Sequence, residues 1–279
     1  MHRLVAVCLV ALMALAVLAG CQTIPATGER KFLLFSEEDD VRLGKASAPD
    51  FEKQFGGPIA DPGLQAYVRS VGAKVAAEAK RIGERNAGHA LPYEQTFTAL
   101  ASDDVNAFAL PGGPVYITKG LLKEMRTEGQ LAAVLGHETG HVNARHGSTQ
   151  MSRQLGLEIL LSVAGAAAGA GQGAEDLGKV VGALVGLKYS RDMEKEADRI
   201  GLDYMVAAGY AAAEMVALMQ VFEQMEGKRP PEFLSTHPNP ENRIGLIQDQ
   251  IRQRTYAARG GTVGEADYRR QVLDRLGVK

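Results

Sequence analysis

The chain has 279 residues, 46% of them hydrophobic, with no tryptophan and a formal net charge of −2. That length can bury one sizeable core, while the near-neutral charge, with no dense basic run to grip phosphates, sets nucleic acid aside as a partner. Plentiful glycine and alanine favour closely packed helices over an aromatic-rich sandwich.

Arg3 precedes an unbroken apolar run from Leu4 to Ala19, the charged and hydrophobic regions of a secretory signal. The run is short for a membrane span and ends in Leu18-Ala19-Gly20-Cys21, which resembles a bacterial lipobox. The resemblance implies cleavage before Cys21 and acylation of its sulfur and new amine, giving a stable membrane anchor; an uncleaved anchor helix is the plain alternative. Gln22 after the cysteine implies an outer-membrane lipoprotein facing the periplasm of a Gram-negative bacterium. Cys8 would leave with the signal, so no disulfide framework is expected. The expected organisation is a signal peptide at 1–20, a lipidated polar tether at 21–35 and one catalytic domain at 36–279.

Ser36 followed by four acidic residues reads as the N-cap and negative first turn of a helix that Gly56-Gly57-Pro58 ends. Asp61-Pro62 opens a second helix, to about Arg81, with Leu64, Val68, Val71 and Val75 on one stripe. A loop at 86–92 leads to short strands at 93–100, 105–110 and 115–118, broken by Asp103-Asp104 and Pro111-Gly112-Gly113-Pro114. Helical spacing of Leu131, Val134, Leu135 and Val142 predicts one long helix from Glu128 to about Arg153. The Ala/Gly-rich stretch at 155–187 is too short and glycine-rich for a membrane span and reads as a packed helical hairpin. Further helices are expected near 190–208, 212–227, 240–255 and 265–276, so the fold class is α+β, mainly helical, with a small sheet.

His137-Glu138-Thr139-Gly140-His141 places two imidazoles one turn apart on a helix face, where both reach one ion. Glu138 is rotated sideways, suited to take a proton from a metal-bound water rather than to ligate. A catalytic zinc needs a third protein ligand. Glu194 and Asp198, at i and i+4, share a face, so Glu194 is expected as that ligand and Asp198 as the acceptor that orients a ligating imidazole; Glu196 faces elsewhere. His146 and His89 are expected to be structural or solvent-facing, His146 because an unbroken helix turns it from the ligand face.

With Asn106-Ala107-Phe108-Ala109-Leu110-Pro111-Gly112-Gly113, Ser235-Thr236-His237-Pro238 and the stretch from Thr23 to Gly28, these motifs resemble the HtpX-like, CAAX-prenyl-protease-related zinc metallopeptidases of the gluzincin group. The resemblance covers roughly residues 30 to 250. It implies a zincin-like domain with its small sheet beside the histidine helix, one Zn2+ held by His137, His141 and Glu194, and Glu138 as catalytic acid/base. The lack of surrounding transmembrane helices points to the periplasmic lipoprotein branch, and the residues after Ile244 are too few for tetratricopeptide repeats.

Residues Asn106, Ala107, Phe108 and Ala109 are expected to form an edge strand to which an extended peptide adds, with a buried structural strand as the alternative. His237 is either a fourth ligand that displaces the catalytic water, a hydrogen-bond donor to the oxyanion, or a surface histidine before proline. The expected activity is zinc-dependent cleavage of misfolded or stalled envelope polypeptides at the outer membrane, in contact with the outer-membrane assembly machinery. A rival reading is an assembly or chaperone factor with a latent protease site.

Overall fold

The computed structural model describes residues 21–155, 188–226, 233–238 and 242–278. The N-terminal segment is folded rather than a loose tether: strands β1 (Cys21–Thr23) and β2 (Arg30–Phe32) pair antiparallel, with Cys21 opposite Phe32. The few apolar side chains in this polar stretch decide its fate, since Ile24 and Leu33 enter the main core. The Gln22 amide also donates to the carbonyls of Leu33 and Phe35.

Helix α1 (Glu37–Gln54) starts at a complete capping box between Ser36 and Asp39. Asp61 caps helix α2 (Pro62–Ala87), which runs six residues past the expected Arg81, to a left-handed Gly88. Ala79 and Gly83 continue its buried stripe, so packing carries the helix through its charged stretch. Strands β3 (Thr96–Leu100) and β4 (Ala107–Ala109) are shorter than expected, β5 (Pro114–Thr118) is one residue longer, and the three form a sheet in the order β3-β5-β4. β3 and β5 are parallel; β4 is antiparallel to β5 and lies at an edge. The Gln65 side chain fastens the sheet to α2, giving its amide hydrogen to the Ala99 carbonyl at 2.7 Å and accepting from the Ala99 N–H at 3.0 Å.

After the short α3 (Lys119–Glu124) comes α4 (Glu128–Asn143), all of whose residues are buried. A helix covered on every side is normally apolar. This one carries Glu128, His137, Glu138, His141 and Asn143 into the interior, an arrangement that costs stability unless each group is paired. Around α4 pack α2, the sheet, α5 (Arg191–Ala207) and α6 (Ala213–Glu226). Short α7 (Phe233–Thr236), α8 (Arg243–Gln253) and α9 (Glu265–Tyr268) follow; α9 continues as a π turn at Arg269–Leu273 that buries Val272 and Leu273, where a single helix to 276 was expected. The hairpin expected at 155–187, from residue 156 on, and the signal at 1–20 lie outside the described residues, within which no helix is long and apolar enough to cross a membrane.

The expected single helix from Glu128 to Arg153 is broken. α4 stops at Ala144, Arg145 takes φ +53°, and a new helical stretch occupies 146–155. No proline or glycine marks the break. Its cause is tertiary: the buried Arg145 guanidinium bonds Asp40 at 2.7 Å, the Phe35 carbonyl at 2.7 Å and the Gln22 amide oxygen, while Ser148 also donates to Asp40. Burial pushes the Asp40 carboxyl up, against the pull of Arg145. Replacing Arg145 by Met removes the counter-charge of a buried carboxylate, so we expect a loss of about 3–5 kcal/mol in urea denaturation; a change below 1 kcal/mol contradicts this role.

Candidate metal centre

Two helices without side chains in each other's way create the site. Gly136 and Gly140 of α4 face Ala197 and Gly201 of α5 so closely that a Cβ on Gly201 would sit 2.7 Å from the His137 nitrogen, and one on Gly136 2.9 Å from the Gly201 carbonyl. This crossing brings the first turn of α5, capped by Ser190, over the C-terminal half of α4. Glu194 thereby reaches both histidines: its oxygens lie 3.4 Å from His137 Nε2 and 3.3 Å from His141 Nε2, which are themselves 3.0 Å apart.

His237 joins them. The short α7 is tied to the residues before β4 by a bond from the Phe233 N–H to the Val105 carbonyl, and the His237 ring stacks on Phe233 at 4.3 Å and 9°. His237 Nδ1 lies 3.0 Å from Glu194 and 3.3 Å from His137 Nε2, while its Nε2 lies 3.7 Å from Glu138. His137, His141, Glu194 and His237 each offer one donor atom within 4.8 Å of the others, and all four are buried. Of the alternatives for His237, a surface position is thus not the one adopted.

Each group around this cluster has a definable state. His137 Nδ1 is 2.9 Å from Asp198, whose carboxylate is gripped by Arg243 through two bonds of 2.7 Å. Burial opposes ionisation of Asp198, but Arg243 and His137 hold it below the usual carboxylate range. Burial likewise opposes ionisation of Glu194, yet the surrounding imidazoles hold it well below its ordinary value. Burial pushes His141 well down, favouring the neutral imidazole, and pushes the Glu138 carboxyl up. Both oxygens of Glu138 and one of Glu194 are buried without a hydrogen-bond partner among the described residues.

The edge strand stands beside this cluster. The Leu110 N–H donates to Pro114 and the Thr118 N–H to the Asn106 carbonyl, so by antiparallel alternation the N–H and C=O groups of Ala107 and Ala109 face away from β5. No strand of the described residues pairs with that edge. Asn106 and Ala107 are buried side chains, Phe108 packs on Phe51, Phe55 and Tyr116, and Ala109 lines a cleft with Leu110, His141 and Tyr189.

A match to the family model of Peptidase family M48 spans residues 64–251 and includes the two histidines, Glu138, Glu194 and His237. The chain belongs to peptidase family M48. It is 32% identical over 223 residues to the Beta-barrel assembly-enhancing protease of Yersinia pestis, covering 76% of this chain and 42% of that one. It is 35% identical over 143 residues to the Mitochondrial metalloendopeptidase OMA1 of Arabidopsis thaliana, covering 51% and 29%. With the Metalloprotease YcaL of Escherichia coli K12 it shares 29% over 195 residues, covering 68% and 75%. The chain spans about two-fifths of the length of the assembly-enhancing proteases it matches.

The M48 site fits a cation on this chain's own evidence. Three imidazole nitrogens and a carboxylate oxygen lie within 4.8 Å of one another, and both oxygens of the adjacent Glu138 are buried without a hydrogen-bond partner among the described residues. Mixed nitrogen and oxygen donors of this kind suit zinc.

Three contributors were not singled out in the sequence. Arg243 and Phe233 lie in segments without a motif of their own, and Tyr189, whose ring is 4.0 Å from that of His141, precedes the acidic helix without a recognisable role. His146 corrects an expectation: it does not turn away but is buried with Nδ1 3.0 Å from His141 Nδ1. The break at Ala144–Arg145 resets the direction that an unbroken helix would have given it. Glu196 stands off the cluster, as expected, yet bonds His146 at 3.1 Å; His89 is half-exposed and bonds Glu37.

If the helix crossing sets the ligand geometry, Gly201→Val should cost about 1–3 kcal/mol of stability through overpacking and weaken zinc binding together. Isothermal titration and thermal unfolding check both; unchanged affinity would detach the crossing from the site.

Proposed function

We propose that this chain is a zinc-dependent endopeptidase of the bacterial envelope, with His137, His141 and Glu194 as metal ligands and Glu138 as general base. The observation that carries the reading is the unpartnered Glu138 carboxylate buried beside a four-donor cluster and an open strand edge. Zinc bound there supplies a Lewis acid that polarises a carbonyl and lowers the pKa of a water towards about 7.

The protein's own groups do the rest. Ala107 and Ala109 offer backbone hydrogen bonds that hold a peptide extended along β4, past His141 and Tyr189. Glu138, with its pKa raised by burial, accepts a proton from the attacking water and returns it to the departing amine. Asp198, braced by Arg243, keeps the His137 proton on Nδ1 and its Nε2 lone pair towards the cluster. His237 sits among the ligands, which supports a resting state in which it closes the shell and must swing out before a substrate is cleaved.

Lipidation at Cys21 would tether this chemistry to the outer membrane, facing the periplasm. We read its substrates as misfolded or stalled envelope polypeptides, and the likeness to beta-barrel assembly-enhancing proteases supports contact with the machinery that assembles outer-membrane proteins. The closed arrangement of His237 also favours a second reading, an assembly factor that holds polypeptides while its protease site stays latent.

Glu138→Gln should keep zinc and fold while casein cleavage falls about 10²- to 10⁴-fold; full retention of cleavage would remove Glu138 as base. His237→Ala should raise cleavage if His237 closes the shell at rest. A fall of about 10²- to 10³-fold would instead assign it to the oxyanion.

A further inference from the structure

The two histidine ligands are braced in different ways, and the difference involves the N-terminal hairpin. His137 gives its Nδ1 proton directly to a carboxylate, Asp198. Among the described residues no carboxylate meets His141 at that position. Its Nε2 faces His137 and Glu194, and the described contact of its Nδ1 is a second imidazole, His146 Nδ1 at 3.0 Å.

Two nitrogens at that distance share one proton, and the surroundings decide whose it is. A ligating His141 must leave its Nε2 lone pair free, so the proton lies on its Nδ1 and His146 Nδ1 must accept it. His146 then carries its own hydrogen on Nε2, where it meets the Glu196 carboxylate at 3.1 Å. Glu196 is in turn 3.4 Å from the Lys31 ammonium on β2. The tautomers therefore run in one direction, His141 to His146 to Glu196, and each link has one donor and one acceptor.

We propose that His146 is a positioning residue for the metal centre: it fixes the tautomer and the ring orientation of His141, with Glu196 and Lys31 of the N-terminal hairpin holding it in place. This rests on the reading that the metal lies between His137, His141 and Glu194. The break at Ala144–Arg145 is what turns His146 towards His141, and among the groups Arg145 bonds there, with Asp40 and the Phe35 carbonyl, is Gln22 of the same hairpin. The hairpin is thus part of the site's framework from two sides.

Side-chain geometry gives a test that a merely space-filling role would not pass. In His146→Asn the amide oxygen falls at the Nδ1 position and can still accept from His141; in His146→Gln the amide lies at the Nε2 level and leaves His141 without its acceptor. Zinc affinity of the full chain is measured by competition with a chromophoric chelator, alongside thermal unfolding of the zinc-free protein. His146→Asn should bind zinc close to wild type, whereas His146→Gln and His146→Ala should lose about 10- to 100-fold. Equal affinities for the Asn and Gln variants, or wild-type affinity in the Ala variant, overturn the proposal while leaving the metal site intact. A wild-type chain that binds no zinc, or a His141→Ala variant that binds it unchanged, overturns the underlying site as well. Should His146→Ala not fold, the Asn and Gln comparison alone decides.

Discussion

Everything at the site depends on how closely α4 and α5 approach. The contact is made by Gly136 and Gly140 against Ala197 and Gly201, with less than van der Waals room for an added Cβ at Gly201. Glu194 comes within 3.4 Å of both histidines because its helix backbone rests on the helix that carries them. The three glycines cost helix propensity. Here that cost is offset by a geometry that larger side chains would prevent.

Burying so many polar groups then creates a second constraint: each must find a partner or a purpose. Asp198 and Arg243 satisfy each other and orient His137. Asp40 and Arg145 do the same at the far end of α4, and in doing so break the helix. Against this background of paired charges the two orphaned oxygens of Glu138 stand apart. We read that exception as room for a reacting water beside a bound cation.

Much of this was legible in the sequence where a local rule governs. The four-residue spacing of His137 and His141 told that they share a helix face, the Ser36 and Asp61 caps told where helices begin, and the proline and glycine at 111–114 told where a strand turns. The extent of α2 was not legible, because Ala79 and Gly83 pack on neighbours distant in sequence. Nor was the end of α4, since Arg145 is an ordinary helix residue until Asp40 and Gln22 pull it from the helical path. That one break also hid His146, whose direction could be extrapolated only along an unbroken helix. Arg243 left no signal at all; its partner lies 45 residues upstream on another helix.

The central claim is that one zinc ion sits between α4 and the first turn of α5. Anomalous scattering at the zinc edge from crystals of the zinc-loaded chain tests it most directly. The account predicts one peak about 2.0–2.2 Å from the Nε2 atoms of His137 and His141 and from a Glu194 oxygen. A peak elsewhere, or one with Glu194 out of reach, would contradict it.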